Sequence, residues 1–176
     1  MSQTSQSSSI ADIIDRVIPL AEGHPVHTLR HERPKVVAST QGSYDGMFAA
    51  EVRDISVTER LLAALHGSRL SRSDELATHY RERLLSEGVD AALVDAVDAG
   101  VTPVSVDGRL SAILAFTGKL IVKPVEGDRT AVESLVAVGL STPAIVALGQ
   151  LIAFLSYQIR VAAGLKAMAA ATGASA

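Results

Sequence analysis

Apolar side chains recur every three or four positions along most of the chain, which is the spacing of a buried helix face. The first such stripe consists of Ile10, Ile13, Ile14, Val17 and Ile18. Ser9 followed by Asp12 resembles a capping box and predicts the start of this helix. Pro34 opens the next one, with Tyr44 towards the interior, and "QGSYDGMF" predicts a glycine-rich turn at its end.

Capping signals divide the rest of the chain into further helices. Three capping boxes are predicted, at Ser56–Glu59, Ser71–Asp74 and Thr130–Glu133. Asp90 caps "AALVDAVDA", while Gly88 and Gly100 stand where helices end in a left-handed residue. Thr142 and Pro143 open the last helix, predicted to reach about Met168. Because no segment alternates polar and apolar residues for long, the pattern predicts an all-α fold.

An internal repeat is predicted when the chain is shifted by 51 residues against itself. Ser56 then falls on Asp107, Gly67 on Gly118 and Gly88 on Gly139. Coincidence of helix starts and of glycines is expected from a duplicated helical unit. The two degenerate copies are residues 56–106 and 107–157, and the histidines His66 and His79 belong to the first copy alone.

The last helix carries no charge from Pro143 to Ile159. A membrane span needs about 20 predominantly apolar residues, and this run is shorter and interrupted by polar side chains. The favoured interpretation is a helix buried on nearly all sides, in a bundle or at an oligomer interface. Arg160 on such a helix would need a carboxylate or carbonyl partner.

Composition narrows the classes of function. The 176 residues suffice for one domain with a real core, and 48% of them are hydrophobic. A net charge of −3 without a basic block, with only three Phe, three Tyr and no Trp, argues against nucleic-acid binding. The absence of cysteine excludes disulfides, thiolate metal sites and thiol nucleophiles within this sequence.

The termini predict two short tails around one helical domain. Residues 1–8 and 171–176 are polar or small and are expected to be disordered, leaving 9–170 as the domain. The first residues lack the charged-then-apolar order of a secretory signal. A cytoplasmic protein is expected.

Several stretches resemble the carboxymuconolactone decarboxylase-like proteins, and more narrowly their peroxidase-related branch near alkylhydroperoxidase D. They are "RPKVVASTQGSYDGMF", "TERLLAALHG…ELATHYRERLLSEGVD" and "RLSAILAFTGKLI…LVAVGLSTPAIVALGQLIAFLSYQIRVAAGLKAM". The resemblance covers about residues 10–170. It implies an all-helical bundle and a homo-oligomer, as a dimer, trimer or hexamer.

The redox members of that family carry Cys-x-x-Cys, then three residues and a His, with a Glu on the preceding helix. Aligning His79 with the motif histidine puts Arg72 and Glu75 at the cysteine positions, and Glu59 falls one position from the glutamate. His79 is therefore kept where both sulfurs are missing. Thiol peroxidase and disulfide reductase activity are excluded because the motif chemistry needs thiolates.

Candidate site residues follow from these matches and from side-chain chemistry. The catalytic candidates are His79, whose ordinary pKa suits proton transfer, with Glu75 and Glu59 tuning it. Arg72 is the expected carboxylate-binding residue, joined by Tyr44 and His66. His79 is equally a half-buried histidine with a structural hydrogen bond, and His66 equally an imidazole that caps a helix end.

No metal site is expected from the remaining histidines. His27 and His31 have the i,i+4 spacing that can chelate an ion, but no acidic motif accompanies them, and Pro25 separates them from His24. No cofactor, membrane or nucleic-acid partner is predicted. The expected function is cofactor-free acid/base chemistry, decarboxylation or lactone isomerisation or hydrolysis, on a small carboxylate or lactone. The competing class is a non-catalytic oligomeric binding or scaffold protein of the same fold.

Overall fold

Helices account for most of residues 12–101 and 108–173, the two ranges that the computed structural model describes. In chain order they are α1 (Ile13–Val17), α2 (Pro25–His31), α3 (Pro34–Met47), α4 (Val57–Leu70), α5 (Asp74–Ser86), α6 (Ala91–Asp98), α7 (Gly108–Val122), α8 (Arg129–Ala137) and α9 (Thr142–Gly173). A 3-10 turn, Pro124–Glu126, joins α7 to α8. No strand occurs in these ranges, and the all-α prediction is confirmed.

Some of the predicted caps are present. The Ser56 hydroxyl accepts from the Glu59 amide at 3.1 Å and the Glu59 carboxylate accepts from the Ser56 amide at 2.7 Å, so the capping box of α4 is confirmed. Asp90 caps α6 by accepting from the Ala92 amide at 3.1 Å. Gly88 and Gly100 have φ angles of +77° and +74°, in the left-handed region where glycine carries no Cβ penalty.

Other predicted boundaries are wrong by a few residues. Ser71 ends α4 instead of starting α5, which begins at Asp74 without a side-chain cap. Thr130 lies inside α8, and the side chain of Asp128 makes that cap. At Thr130 the prediction is wrong because another acceptor, Asp128, precedes it and caps the helix two residues earlier.

The N-terminal third is more helical than predicted. The stretch "QGSYDGMF" continues α3 to Met47 instead of ending it, since Gly42 and Gly46 keep helical backbone angles. The short helix α2, capped by His24, was not predicted. Helix α1 is capped by Asp12; the predicted cap, Ser9, and the tail 1–8 lie outside the described ranges.

Helix bounds follow the 51-residue shift. Residues 57–70 of α4 fall on 108–121 within α7, and residues 91–98 of α6 fall on the start of α9. Residues 74–86 of α5 fall on 125–137, of which α8 covers the last nine. Gly139, the counterpart of Gly88, also has a positive φ, +86°. Asp107, the counterpart of the Ser56 cap, is outside the described ranges.

Helix α4 lies at the centre of the molecule and packs against α5, α7 and α9. Its residues from Leu61 to Leu65 are all buried. Arg60 is buried beside them, and its guanidinium donates to the Met47, Ala49 and Ser56 carbonyls at 2.5, 2.9 and 3.3 Å. These three acceptors compensate the desolvation of the charge and tie α4 to the end of α3.

Helix α9 is 32 residues long, and by length and composition it is apolar enough to cross a membrane. Long core helices of soluble proteins share these properties. Only 33% of its most apolar 18-residue window is buried within the chain, so the expected burial on nearly all sides is not met by one chain alone.

Arg160 is exposed and donates to the Ser156 carbonyl at 3.1 Å. The helix continues to Gly173, so residues 171–173 of the predicted tail are helical.

Candidate functional site

A cleft of about 530 Å³ opens between α3 and α5, with α1 at its edge. It is lined by Arg16 from α1, by Gln41, Tyr44 and Asp45 from α3, and by His79, Glu82, Arg83 and Ser86 from α5. His79 and Arg83 are one turn apart on α5, so both side chains point to the same side. Tyr44 reaches them because it is on the buried face of α3.

Three of these side chains are joined by hydrogen bonds through the Tyr44 hydroxyl. Its oxygen lies 2.8 Å from Nε2 of His79 and 2.9 Å from Nη1 of Arg83. A guanidinium only donates, so the oxygen accepts from Arg83 and the Tyr44 proton is free to point at His79. With a neutral imidazole, this arrangement leaves Nε2 as the acceptor and places the ring proton on Nδ1.

The charges in the cleft are set by burial and by the arginines. Burial, with the nearby charges of Arg16 and Arg83, lowers the pKa of His79 to about 4. Burial raises the pKa of Tyr44, although the hydrogen bond and charge of Arg83 oppose the rise. At neutral pH the imidazole and the phenol are therefore neutral, and they lie among the basic side chains Arg16 and Arg83 and the acidic side chains Asp45 and Glu82.

An aromatic layer beneath the cleft fixes Arg83 and His79 in place. The Arg83 guanidinium carbon lies 4.7 Å from the ring centre of Phe48, and Nε donates to Glu87 at 2.9 Å. The His79 ring meets Tyr80 edge-on at 5.1 Å. Tyr80 is fully buried and donates to Oε1 of Gln158 on α9 at 2.6 Å. The site is thus held between α3, α5 and, through Tyr80, α9.

Glu75 lies beside His79 but is bonded elsewhere. Both line a second cleft of about 530 Å³, which also includes Arg16. The Glu75 carboxylate accepts from Lys166 of α9, and this hydrogen bond is the main cause that lowers the pKa of Glu75. Glu75 therefore lines the second cleft as a carboxylate that is already paired with Lys166.

Arg72 lines a recess that does not include His79. This recess, of about 250 Å³, also contains Glu75 and Lys166. Arg72 has a φ of +55°, in the left-handed link between α4 and α5. The arginines that share a cleft with His79 are instead Arg16 and Arg83, neither of which the sequence predicted.

Glu59 is placed at the N-terminus of α4, away from both clefts lined by His79. Besides its capping bonds it accepts from Nε of Arg109 on α7 at 2.6 Å. Burial acts to raise its pKa, but the hydrogen bonds from Arg109 and Ser56 outweigh it, and the pKa of Glu59 is lowered. Its contacts join α4 to α7.

His66 belongs to a helix contact and lies outside these clefts. It does not cap a helix end, since α4 continues to Leu70. Its Nε2 lies 3.6 Å from where a Cβ on Gly118 of α7 would be. Burial alone lowers the pKa of His66. The repeat makes this contact reciprocal, because Thr117, the counterpart of His66, lies 3.5 Å from the equivalent point on Gly67.

Two arginines of the cleft, Arg16 and Arg83, were not predicted from the sequence. Arg83 follows His79 by four positions on a helix, which is enough to predict a shared face. Arg16 enters the cleft only because α1 packs against α5, a contact between distant parts of the chain. Tyr44 was predicted to be a site residue from its own segment, and the structure brings it together with His79.

Comparison with known proteins supports the fold. No family model matches the chain, and no curated protein matches it by sequence. Two solved structures of the debrominase Bmp8 are similar, one without ligand and one of a cysteine-to-alanine variant in complex with 2,3,4-tribromopyrrole. Each is 16% identical with a TM-score of 0.70, over 87% of this chain and 79–80% of the other. The fold is all-α and of the alkylhydroperoxidase D-like type.

Proposed function

We propose that the chain is a cofactor-free acid/base enzyme for a small carboxylate, and that the cleft between α3 and α5 is its active site. The observation that carries this proposal is the hydrogen-bonded series of His79, Tyr44 and Arg83 at the wall of an open cleft. In such a series a proton acceptor and an anion-binding group each lie within hydrogen-bond distance of one hydroxyl.

The carboxylate would bind to the two arginines. Arg83 uses Nε and Nη1 for Glu87 and Tyr44, and within the described ranges Nη2 has no partner. Arg16 donates from Nη2 to Gln41 at 3.2 Å and also lines the cleft. Guanidinium groups bind carboxylates through two parallel hydrogen bonds, which fixes the orientation of the ligand as well as its position.

Binding of an anion would prepare His79 for proton transfer. After burial, the charges of Arg16 and Arg83 are what hold the pKa of His79 near 4. A bound carboxylate offsets these charges, so the pKa of His79 rises towards its ordinary value. In a lactone isomerisation, a proton leaves one carbon for the Tyr44 oxygen while the Tyr44 proton moves to Nε2 of His79. Both transfers then reverse at a second carbon, and no co-reactant is consumed.

The debrominase likeness supports a ligand-binding site on this fold but does not extend to a reaction. One of the similar structures has a brominated pyrrole bound to a variant in which a cysteine is replaced by alanine. The present sequence contains no cysteine. Proton transfer by imidazole and phenol is chemistry that the residues of this cleft can perform without a thiol.

A non-catalytic binding protein is the second candidate, and one observation favours it. Catalytic histidines are commonly oriented by a carboxylate, whereas in the described ranges no carboxylate hydrogen-bonds to His79, and Glu75 is engaged by Lys166. Under this alternative the arginines bind the same ligands, and His79 only supports Tyr44.

Binding is tested by calorimetry with a panel of small aliphatic and aromatic carboxylates and lactones. Arg83→Lys keeps the charge but removes the planar fork, and we expect at least tenfold weaker binding of a carboxylate. Arg81→Lys is the matched control on the same helix, because Arg81 is paired with Asp95 outside the cleft. Equal affinity of wild type and Arg83→Lys for every carboxylate bound would contradict the proposed binding mode.

Turnover of a bound compound, followed by proton NMR in D2O, separates the two candidates. An enzyme exchanges or rearranges the ligand, and His79→Gln abolishes this while carboxylate binding stays within a few-fold of wild type. Binding without exchange of any ligand proton supports the non-catalytic candidate and refutes the enzymatic one.

We further propose that the chain forms a homo-oligomer in which a second copy covers the outer face of α9. This face carries Val146, Ala153 and Tyr157, with Val146 and Tyr157 exposed by 52% and 39%. Small and apolar residues spaced seven and four apart lie on one side of a helix and allow a second helix to pack closely. The face continues into an apolar groove of about 410 Å³ formed with α3.

A further inference from the structure

Two short helices bring three potential metal ligands together at the N-terminal end of the described chain. The carboxylate of Asp15 on α1 and the imidazoles of His27 and His31 on α2 each offer a ligand atom, and these atoms lie within 4.8 Å of one another. The two imidazoles are one turn apart, and their rings stack at 4.3 Å. The acidic partner that the sequence of α2 lacks is supplied by a different helix.

Arg30 holds the carboxylate of Asp15 in place. Its Nη1 donates to Oδ1 of Asp15 at 2.6 Å and its Nη2 to Oδ2 of the buried Asp12 at 2.5 Å. The second oxygen of Asp15 then lies 3.2 Å from Nε2 of His31. Hydrogen bonds of this kind from outer residues fix metal-binding carboxylates in position. Nη1 of Arg30 is also 3.4 Å from the His31 nitrogen, so the guanidinium borders the site.

Charge and spacing both fit a divalent cation. Two carboxylates and one guanidinium leave one net negative charge beside two imidazoles that are ligands when neutral. Ligands about 2 Å from a tetrahedral Zn²⁺ lie about 3.3 Å apart. The Asp15–His31 pair already has this separation at 3.2 Å, and a His27 nitrogen within 4.8 Å of the other two ligand atoms needs to move by at most about 1.5 Å, within the reach of a side-chain rotation.

We propose that Asp15, His27 and His31 form a site for a divalent transition metal of the Zn²⁺, Ni²⁺ or Cu²⁺ type. Imidazole and carboxylate ligands suit these ions, and three protein ligands at a half-exposed position leave room for water. A bound ion links α1 to α2 and so stabilises the end of the chain that carries Arg16. The site is separate from the cleft between α3 and α5 and does not depend on the proposed function.

Binding of Zn²⁺ is tested on tag-free protein stripped with a chelator, by competition with a chromophoric chelator. His27→Phe is the informative variant, because it keeps the ring stack on His31 and removes only the ligand nitrogen. His24→Asn is the matched control, since Asn still caps α2 and the change deletes a neighbouring imidazole. His31→Phe removes the second ligand and serves if the first variant does not fold.

We expect one Zn²⁺ per chain, with at least tenfold weaker binding in His27→Phe and His31→Phe and unchanged binding in His24→Asn. Zn²⁺ should also raise the unfolding temperature of the wild type, an effect that a chelator reverses. The proposal is wrong if the wild type binds no stoichiometric Zn²⁺, or if both Phe variants bind it as tightly as His24→Asn.

Discussion

At the scale of single residues, the Tyr44 hydroxyl links the imidazole of His79 to the guanidinium of Arg83. It accepts from Arg83 and so has its own proton available for His79. Because the imidazole is half-buried and faces positive charge, its neutral form is favoured. The positive charges of Arg16 and Arg83 help to lower the pKa of His79 in the free protein. An anion bound in the cleft would offset these charges and raise that pKa.

Protonation of His79 should destabilise the folded protein in acid. The folded pKa of His79 is about 4 and its unfolded value about 6.5, so the unfolded chain binds more protons between these pH values. Stability from this group is complete above pH 6.5 and is lost as the pH falls towards 4. The full shift corresponds to about 3 kcal/mol, which solvent screening at a half-buried group reduces to about 2 kcal/mol.

Urea unfolding of wild type and His79→Gln at pH 7 and pH 4.5 measures this contribution. Gln keeps a hydrogen-bond acceptor for Tyr44 and does not titrate. The loss of unfolding free energy on acidification should be smaller in the variant by about 1 to 2 kcal/mol. Equal losses in the two proteins would show that His79 titrates normally in the fold.

The sequence indicates which side chains are candidates for a site better than it indicates which of them lie together in the fold. His79 is a candidate because it aligns with the motif histidine of the resembled family and its ordinary pKa suits proton transfer, and Tyr44 because it faces inward on its helix. Arg72 and Arg83 look equivalent in the sequence, and only the left-handed link at Arg72 directs the first to a different recess. Arg16 could not be identified locally, since its place depends on the packing of α1 against α5.

At the scale of helices, the packing of α9 against α4 leaves no room for a side chain at Gly67. A Cβ on Gly67 would lie 2.6 Å from Cδ2 of the buried Leu155, whereas the nearest atoms to a Cβ on Gly118 are 3.6 Å away. The two glycines are counterparts in the repeat, but only the first is also covered by α9. The fold therefore tolerates a methyl group at position 118 better than at position 67, where Leu155 of α9 lies against α4.

Gly67→Ala and Gly118→Ala form a matched pair for measuring this contact. Both gain up to about 1 kcal/mol of helix propensity, and only Gly67→Ala overpacks the core, at about 1 to 3 kcal/mol. Thermal or urea unfolding should show Gly118→Ala to be more stable than Gly67→Ala by about 1 to 2 kcal/mol. The reverse order would contradict the described packing of α9 on α4.

Helix existence was predictable from periodicity, and helix ends were predictable where one acceptor was available. At Ser56 the capping box is isolated and the prediction is confirmed. Near Thr130 the preceding Asp128 accepts from the Ala131 amide at 3.0 Å, so the helix starts earlier. Helix α2 has only seven residues and too short a stripe to be recognised.

At the scale of the whole molecule, only the first of the two related helical units contributes side chains to the candidate site. In the second unit, Thr130 and Ser134 occupy the positions of His79 and Arg83, and Ala131 that of Tyr80. Tyr44 and Arg16 come from helices that precede both units. The cleft is therefore a property of the first unit and of the N-terminal helices packed on it.

The all-α architecture was predictable because caps, glycines and apolar stripes all agreed with it along the chain. The exposure of α9 was not, since its apolar composition is the same whether its outer face meets a neighbour or solvent.

Light scattering after gel filtration tests the proposed oligomer, and wild type should exceed the monomer mass. Val146→Glu with Ala153→Glu should reduce the mass towards 18.4 kDa, with unchanged circular dichroism. A monomeric wild type would contradict it.

The most direct test of the central claim is NMR titration of the His79 ring nitrogens, with and without a bound carboxylate. The free protein should give a pKa near 4 and a neutral ring protonated on Nδ1. Saturation with the carboxylate should raise this pKa by at least one unit in wild type and by less in Arg83→Lys. A free-protein pKa near 6.5 that the carboxylate does not move would contradict the coupling of anion binding to proton transfer in this cleft.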